Sequence, residues 1–396
     1  PVYRARNDFA SLIRVLEIEV RHAEDARKRI SLLLEIAQSY EDGCDDPEHA
    51  YEALGRALAE DPLDAETQKR VERLARVLGR FEDLIGRYQK LVDVLEDPAL
   101  KGALYHRIAE LAEREVQRDD WAADAYMAAL DVYPKDLEAA NALEAIYSRT
   151  SDYARLVEVL RRKMDIVELV EERKELGFKA AQIYEEVLED SDKAIEVWRH
   201  VLSFDDHDQS AIDNLERLFV RLERWADLKD VYSRKAELAT TPQDKKQMLF
   251  VLGQVYDREI GDPQKAIETY NGILDIDPDD FEATQALDRL YVQTQRWEDL
   301  LAILERQTEL SPSAAEVVSL RFRIGELYRD KLKDLPRATE AYGQVLGMDP
   351  THEQTLAALE GMMARGEEPI LAAQVLEPIY ETTGEWERVV AVYEVM

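Results

Sequence analysis

Residues 252–278 read LGQVYDREIGDPQKAIETYNGILDIDP. Leu252, Gly253 and Tyr256 fall on one side of a helix, and Gly261-Asp262-Pro263 interrupts it. Ala266, Tyr270, Ile273 and Leu274 then mark the apolar stripe of a second helix, which Asp277-Pro278 ends. Apolar residues at i, i+4, i+7 and i+8 are the helical spacing, and Asp-Pro breaks one helix while preparing the next. The stretch is a helical hairpin.

Working outward, the same signals return at a constant interval, the one that separates Pro62 from Pro134 and Pro278 from Pro350. Asp206 completes that series, which defines a 72-residue unit. Twelve residues before each member stand Ala50, Ala122, Ala194, Ala266 and Ala338, and four after those come Leu54, Tyr126, Trp198, Tyr270 and Tyr342. A second series runs through Phe9, Phe81, Tyr153, Trp225 and Trp297, each followed at three residues by leucine. Ala266 to Leu300 is a 34-residue step and Leu300 to Ala338 a 38-residue one, so each unit holds two helix pairs. Small residues at Ala37, Ala109, Ala181, Gly253 and Gly325 predict close crossing of the two helices in a pair. The aromatic series opens second helices beside a leucine, which predicts packing rather than ligand stacking. No repeat of this kind buries its own faces, so stability comes from stacking neighbours.

The stretch resembles the tetratricopeptide repeat, with leucine then glycine and a tyrosine in the first helix, a Gly-Asp turn, alanine and an aromatic in the second, and a terminal proline. The match is good at 242–278 and 313–350 and weaker in the alternate halves, and the first helix is one residue longer than the family pattern. The resemblance implies an all-α solenoid of stacked antiparallel helix pairs, forming a right-handed superhelix whose concave wall is lined by first helices and receives peptides. Residues 1–396 are expected to form one continuous array, with 1–21 the end of a preceding repeat and 351–396 an irregular repeat followed by a truncated helix. There Pro369 replaces the aromatic, and YETTGEWERVVAVYE resembles YVQTQRWEDLLAILE with a 17-residue shift, which predicts an extra helix. Tyr3 matches Tyr147 and Tyr291, placing the chain's opening inside a helix end, so the sequence reads as a segment of a longer array.

Eighty-four acidic against 51 basic residues give a formal charge of −33, which repels a phosphate backbone and an anionic leaflet. Nucleic acid is therefore not an expected partner. No apolar stretch approaches the roughly 20 residues that span a bilayer, so direct membrane insertion is not expected. Cys44 is the only cysteine, which rules out an intramolecular disulfide and fits a reducing, cytoplasmic setting. Thirty-five of the 51 basic residues are arginine, a bias common in GC-rich bacteria.

Motifs for catalysis are missing: HExxH, GxSxG, a P-loop, GxGxxG and CxxC do not occur. Asp205, Asp206, His207 and Asp208, like Asp42, Asp45 and Asp46, occupy turns between helices and read as caps. No enzyme, metal or cofactor is expected. The inferred concave wall carries Arg107, Arg323, Phe178, Phe250 and Phe322 in the better-matching halves. In the alternate halves it carries Arg73, Arg76, Arg149, Arg217, Arg221 and Arg289, of which Arg73, Arg217 and Arg289 share one place in the repeat. Planar guanidinium groups in a groove suit an acidic segment of a partner protein or peptide, unless they pair with nearby acids such as Glu110, Glu113, Glu185 and Glu326. The lysine–asparagine clamp of the chaperone-tail branch is not offered. The expectation is a protein-binding scaffold, as in a bacterial motility, secretion or envelope assembly. The alternative is a regulatory or targeting arm of a larger protein with an enzymatic domain outside these residues.

Overall fold

The computed structural model describes Tyr3 and residues 7–396, and among these every regular element is a helix. The expected helix end at the N-terminus falls mostly outside the described residues. Contacts divide the chain into two compact units, 1–211 and 212–396. In the first unit Phe9–His22 precedes five pairs. These are Ala26–Cys44 with Pro47–Glu60, Ala65–Leu78 with Phe81–Val94, Pro98–Leu111 with Asp119–Val132, Leu137–Arg149 with Tyr153–Ile166, and Val170–Glu186 with Ser191–Phe204. In the second, Trp225–Leu238 precedes Pro242–Gln254 with Pro263–Ile276, Phe281–Thr294 with Trp297–Leu310, Ala314–Leu327 with Leu335–Met348, and Glu353–Arg365 with Pro369–Thr383. Trp386–Val395 packs on the last of these.

The periodic alanines explain why the pairs close. Ala50, Ala122, Ala194, Ala266 and Ala338 have no exposed surface, so the second helix meets its neighbours along a row of methyl groups. Leucines beside that row, such as Leu58 and Leu130, are buried, each contributing about 2 kcal/mol by leaving water. Asp46, Asp190, Asp262 and Asp334 cap second helices, each accepting a hydrogen bond from the backbone N–H three residues on.

Two features were not legible as such. The extra residue of the first helices is absorbed by a π-helical turn at Ala112–Val116, Val255–Ile260 and Tyr328–Leu332, which closes three of the longer helices. The hairpins before residue 353 then turn through a left-handed residue at a fixed place. Asp45, Gln117, Glu189, Gly261 and Lys333 form one series at the repeat interval, and Asn7, Gly79, Ser151, Glu223 and Gln295 form another. Only Gly79 and Gly261 bear no Cβ penalty there. Gln295→Gly is therefore expected to stabilise the second unit by about 0.5–1 kcal/mol, and Gly261→Ala to destabilise it by a similar amount, in urea titrations. A Cβ on Gly261 meets nothing within 4 Å, so the backbone angle alone sets that loss.

The aromatics that open second helices sit nearer the rim than expected. Phe81 is buried, but Tyr153 is exposed, and Trp297 is half-buried beneath Lys331, whose ammonium lies 5.1 Å from the ring centre. At the C-terminal end, Pro369 starts a regular second helix at its periodic position. Pro369–Thr383 packs against Leu335–Met348, Glu353–Arg365 and Trp386–Val395. Trp386 likewise stands at the periodic place of Ala314, which opens a first helix, so among the described residues the register is kept and the expected extra helix is not there.

Candidate functional site

The first helices carry the charged residues singled out above, and the structure pairs most of their arginines with carboxylates. In the first unit Arg73 pairs with Glu41 and Arg76 with Glu115. Arg107 reaches back to Glu72, with Nε 2.7 Å from Oε1, and holds Glu110 at 2.7 Å. Arg149 binds Glu113 at 2.8 Å and Asp119 at 2.5 Å. In the second unit Arg289 pairs with Asp257, and Arg323 clasps both oxygens of Asp288 at 2.8 Å. Arg217 donates to Asn214 Oδ1 at 3.0 Å, and Arg221 lies one turn further along the same helix, Gln209–Arg221.

These bonds follow the repeat. Glu72, Glu144, Glu216, Asp288 and Glu360 occupy one place in successive units, and three of them meet a cation at a fixed place in the next first helix: Arg107, Lys179 and Arg323. Where Val251 stands instead of that cation, Glu216 turns to Lys235 and accepts from the Tyr232 hydroxyl at 2.6 Å. The ladder was readable had the acids been laid on the repeat interval along with the arginines. Burial raises the Glu144 carboxyl's pKa, but Lys163 and Lys179 outweigh it and hold the net value below the ordinary range. The hydrogen bond that Arg323 donates to Asp288 raises the Arg323 pKa, and those donated to Asp119 and Glu113 raise that of Arg149.

Phe178, Phe250 and Phe322 are half-buried, each against the large aromatic of its own pair. Phe178 meets Trp198 edge-on at 4.7 Å, Phe250 meets Tyr270 at 5.6 Å, and Phe322 meets Tyr342 at 5.9 Å. Phe322 also borders a cleft of about 660 Å³ in the second unit, walled by Ala357 and Ala358 and flanked by Arg329, Lys333 and Arg365. The arginines remain accessible at their outer edges: Arg73, Arg76 and Arg289 are more than half exposed. Their partner carboxylates Glu41, Glu115 and Asp257 are only 14%, 25% and 9% exposed, so the guanidinium is the accessible member of each pair.

The acidic turns act as caps. Asp205 accepts from the His207 N–H, Asp208 accepts from the Ala211 N–H at 2.7 Å, and both hold Lys174 Nζ. Asp46 caps the helix after Asp45. Among the described residues no group of three His, Cys, Asp or Glu side chains is arranged to hold a metal ion, and no helix is long and apolar enough to cross a membrane.

A 34-residue window, 247–280, matches the family model described as tetratricopeptide repeat. That window contains the hairpin from which the periodic pattern extends through both units, and it supports reading the chain as built of tetratricopeptide repeats. No curated protein matches the sequence. Among solved structures, the C-terminal part of a TPR repeat-containing protein from Cytophaga hutchinsonii is 15% identical over 63% of this chain and 98% of that one, with a TM-score of 0.29. YrrB, a TPR protein with an unusual peptide-binding site, is 19% identical over 48% of this chain and 94% of its own, at 0.28. The human IFIT1 dimer with m7Gppp-AAAA is 11% identical over 98% of this chain and 94% of that chain, at 0.28. At such scores no chain path and no ligand transfers from these proteins.

Proposed function

We propose that this chain is a non-enzymatic scaffold that binds partner proteins or peptides along the exposed face of its first helices. The observation that carries the reading is the run of accessible guanidinium–carboxylate pairs beside half-buried phenylalanines. Such a surface offers exchangeable charge next to apolar pockets, in helices whose positions the stacked cores fix. Arg73, Arg76, Arg107 and Arg149 supply it in the first unit, with Phe178 further along. Arg217, Arg221, Arg289 and Arg323 supply it in the second, with Phe250 and Phe322. A partner segment bearing carboxylates competes for the arginines in place of Glu41, Glu113 and Asp257. An assembly in bacterial motility, secretion or the envelope accords with the arginine-rich, acidic composition, and the lone exposed Cys44 accords with a reducing cytoplasm.

The test is capture from native lysate by the parent and by an Arg73→Glu/Arg217→Glu/Arg289→Glu variant, read by mass spectrometry. A protein retained by the parent and reduced about tenfold or more on the variant is the expected result, since a buried charge contact at an interface contributes about 2 kcal/mol. An Arg73→Glu/Glu41→Arg exchange restores the internal pair with reversed polarity and separates loss of binding from loss of fold. Equal retention on all forms rejects the first-helix face as the docking surface.

A further inference from the structure

One position in the repeat leaves a hole that its counterparts fill. Lys174 and Lys246 occupy the same place in successive repeats, each in the opening turns of a first helix. Lys174 Nζ lies 3.0 Å from Asp205 and 2.7 Å from Asp208, and Lys246 Nζ lies 2.5 Å from Asp277 and 2.6 Å from Asp280. Both ammonium groups are thus drawn into the junction between one hairpin and the next helix, with side chains only 18% and 14% exposed. In the repeat before them the equivalent residue is Gly102, and a Cβ built there meets nothing within 4 Å. An open cavity of about 450 Å³ results, walled by Gly102, Ala103, Val132 and Tyr133, with His106 and Asp136 at its polar end.

Asp136 is the counterpart of Asp208 and Asp280. It caps helix Leu137–Arg149 and takes His106 Nε2 at 2.6 Å, yet its carboxylate receives no lysine among the described residues. Tyr133 stands where the neighbouring repeats place Asp205 and Asp277, so an aromatic ring replaces the second carboxylate, and such rings attract cations over their faces. The walls are apolar, as a four-carbon stem requires. We propose that this cavity is a docking pocket for a lysine side chain of a basic partner segment, which enters from outside to occupy the place that Lys174 and Lys246 fill from within. The chain's charge of −33 draws such a segment in. None of the first-helix arginines lines the pocket, so the inference stands apart from the function proposed above.

The probe is N-acetyl-lysine N-methylamide, titrated into the full chain with alanine-methyl labels and followed at Ala99 and Ala103, with the norleucine analogue as the uncharged control. Saturable shifts are expected at these methyls, about tenfold tighter for the lysine compound than for norleucine, as one charge-assisted hydrogen bond provides. Gly102→Lys should abolish the shifts by filling the cavity internally. Asp136→Asn keeps a good helix cap and should lose the preference for the charged probe. Equal affinity for norleucine, shifts that persist in Gly102→Lys, or no shift at millimolar probe overturns the proposal.

Discussion

Trp198→Ala is expected to be the most damaging truncation in the first unit, costing about 3–5 kcal/mol, the usual range for a buried large aromatic. The ring is 3% exposed and stands edge-on to Phe178 at 4.7 Å and 85°. Val201, one turn further, presses so close to Gly177 that a Cβ there would lie 2.6 Å from Val201 Cγ2. The backbones of helices Val170–Glu186 and Ser191–Phe204 therefore have no slack with which to close over a cavity. In an array whose stability is a sum of nearest-neighbour terms, the loss should appear first in those two helices. Hydrogen exchange should accelerate there before it does in Ala26–Cys44. Trp198→Phe provides the contrast. The indole N–H is buried without a hydrogen-bond partner, so phenylalanine removes an unmet polar group while keeping most of the contact area. It should cost about 1 kcal/mol or less on the same scale. A loss for Trp198→Phe as large as that for the alanine variant, or an alanine loss spread evenly over the unit, contradicts this account.

Much of this was written in the sequence because the forces involved are local or strictly periodic. Ala50 and its four counterparts had to be small, and they are among the most deeply buried residues of their helices. Asp46 and Asp262 had to cap, since a helix hairpin leaves free N–H groups at that point. The left-handed turn residues escaped notice because, in the two periodic series, glycine marks that conformation only at Gly79 and Gly261. Glu189, Glu223 and Gln295 carry the strain unmarked, held there by the helices on either side. The arginines fall on the right helices, but their partners were hidden, because residue type does not reveal which acid lies across a helix crossing. Glu72 and Arg107 belong to successive pairs, and only the stacking of those pairs brings them together. The hole at Gly102 escaped for a similar reason. A glycine in a helix reads as a weak helix former, and its meaning emerges only beside the lysines that occupy the same place in later repeats.

Gly325→Ala is expected to destabilise the second unit by about 1–3 kcal/mol, although alanine is the better helix former by about 1 kcal/mol. The two effects oppose each other, and the geometry decides between them. A Cβ on Gly325 would lie 2.5 Å from Cε1 and 2.7 Å from Cδ1 of Tyr342. That ring has no exposed surface, and its hydroxyl donates to Glu326 Oε1, the side chain beside Gly325 itself, so it is pinned at the far end. Burial, then the Glu326 hydrogen bond, raise the tyrosine's pKa, as expected of a hydroxyl tied to a carboxylate away from water. Relief would require breaking that bond or spreading two helices at their closest approach. Gly253 sits at the matching place against Tyr270, with a Cβ 2.7 Å from Cζ, but among the described residues no hydrogen bond to the Tyr270 hydroxyl competes with a small ring shift there. Gly253→Ala should consequently be milder. In the first pair the periodic counterparts of Gly325 and Tyr342 are Ala37 and Leu54, so adding Tyr342→Leu to Gly325→Ala should recover part of the loss. A double-mutant cycle in urea measures that coupling directly. If Gly325→Ala instead gains the full helix-propensity increment, the Tyr342 ring moves freely and the tether through Glu326 is not what fixes the crossing of this pair.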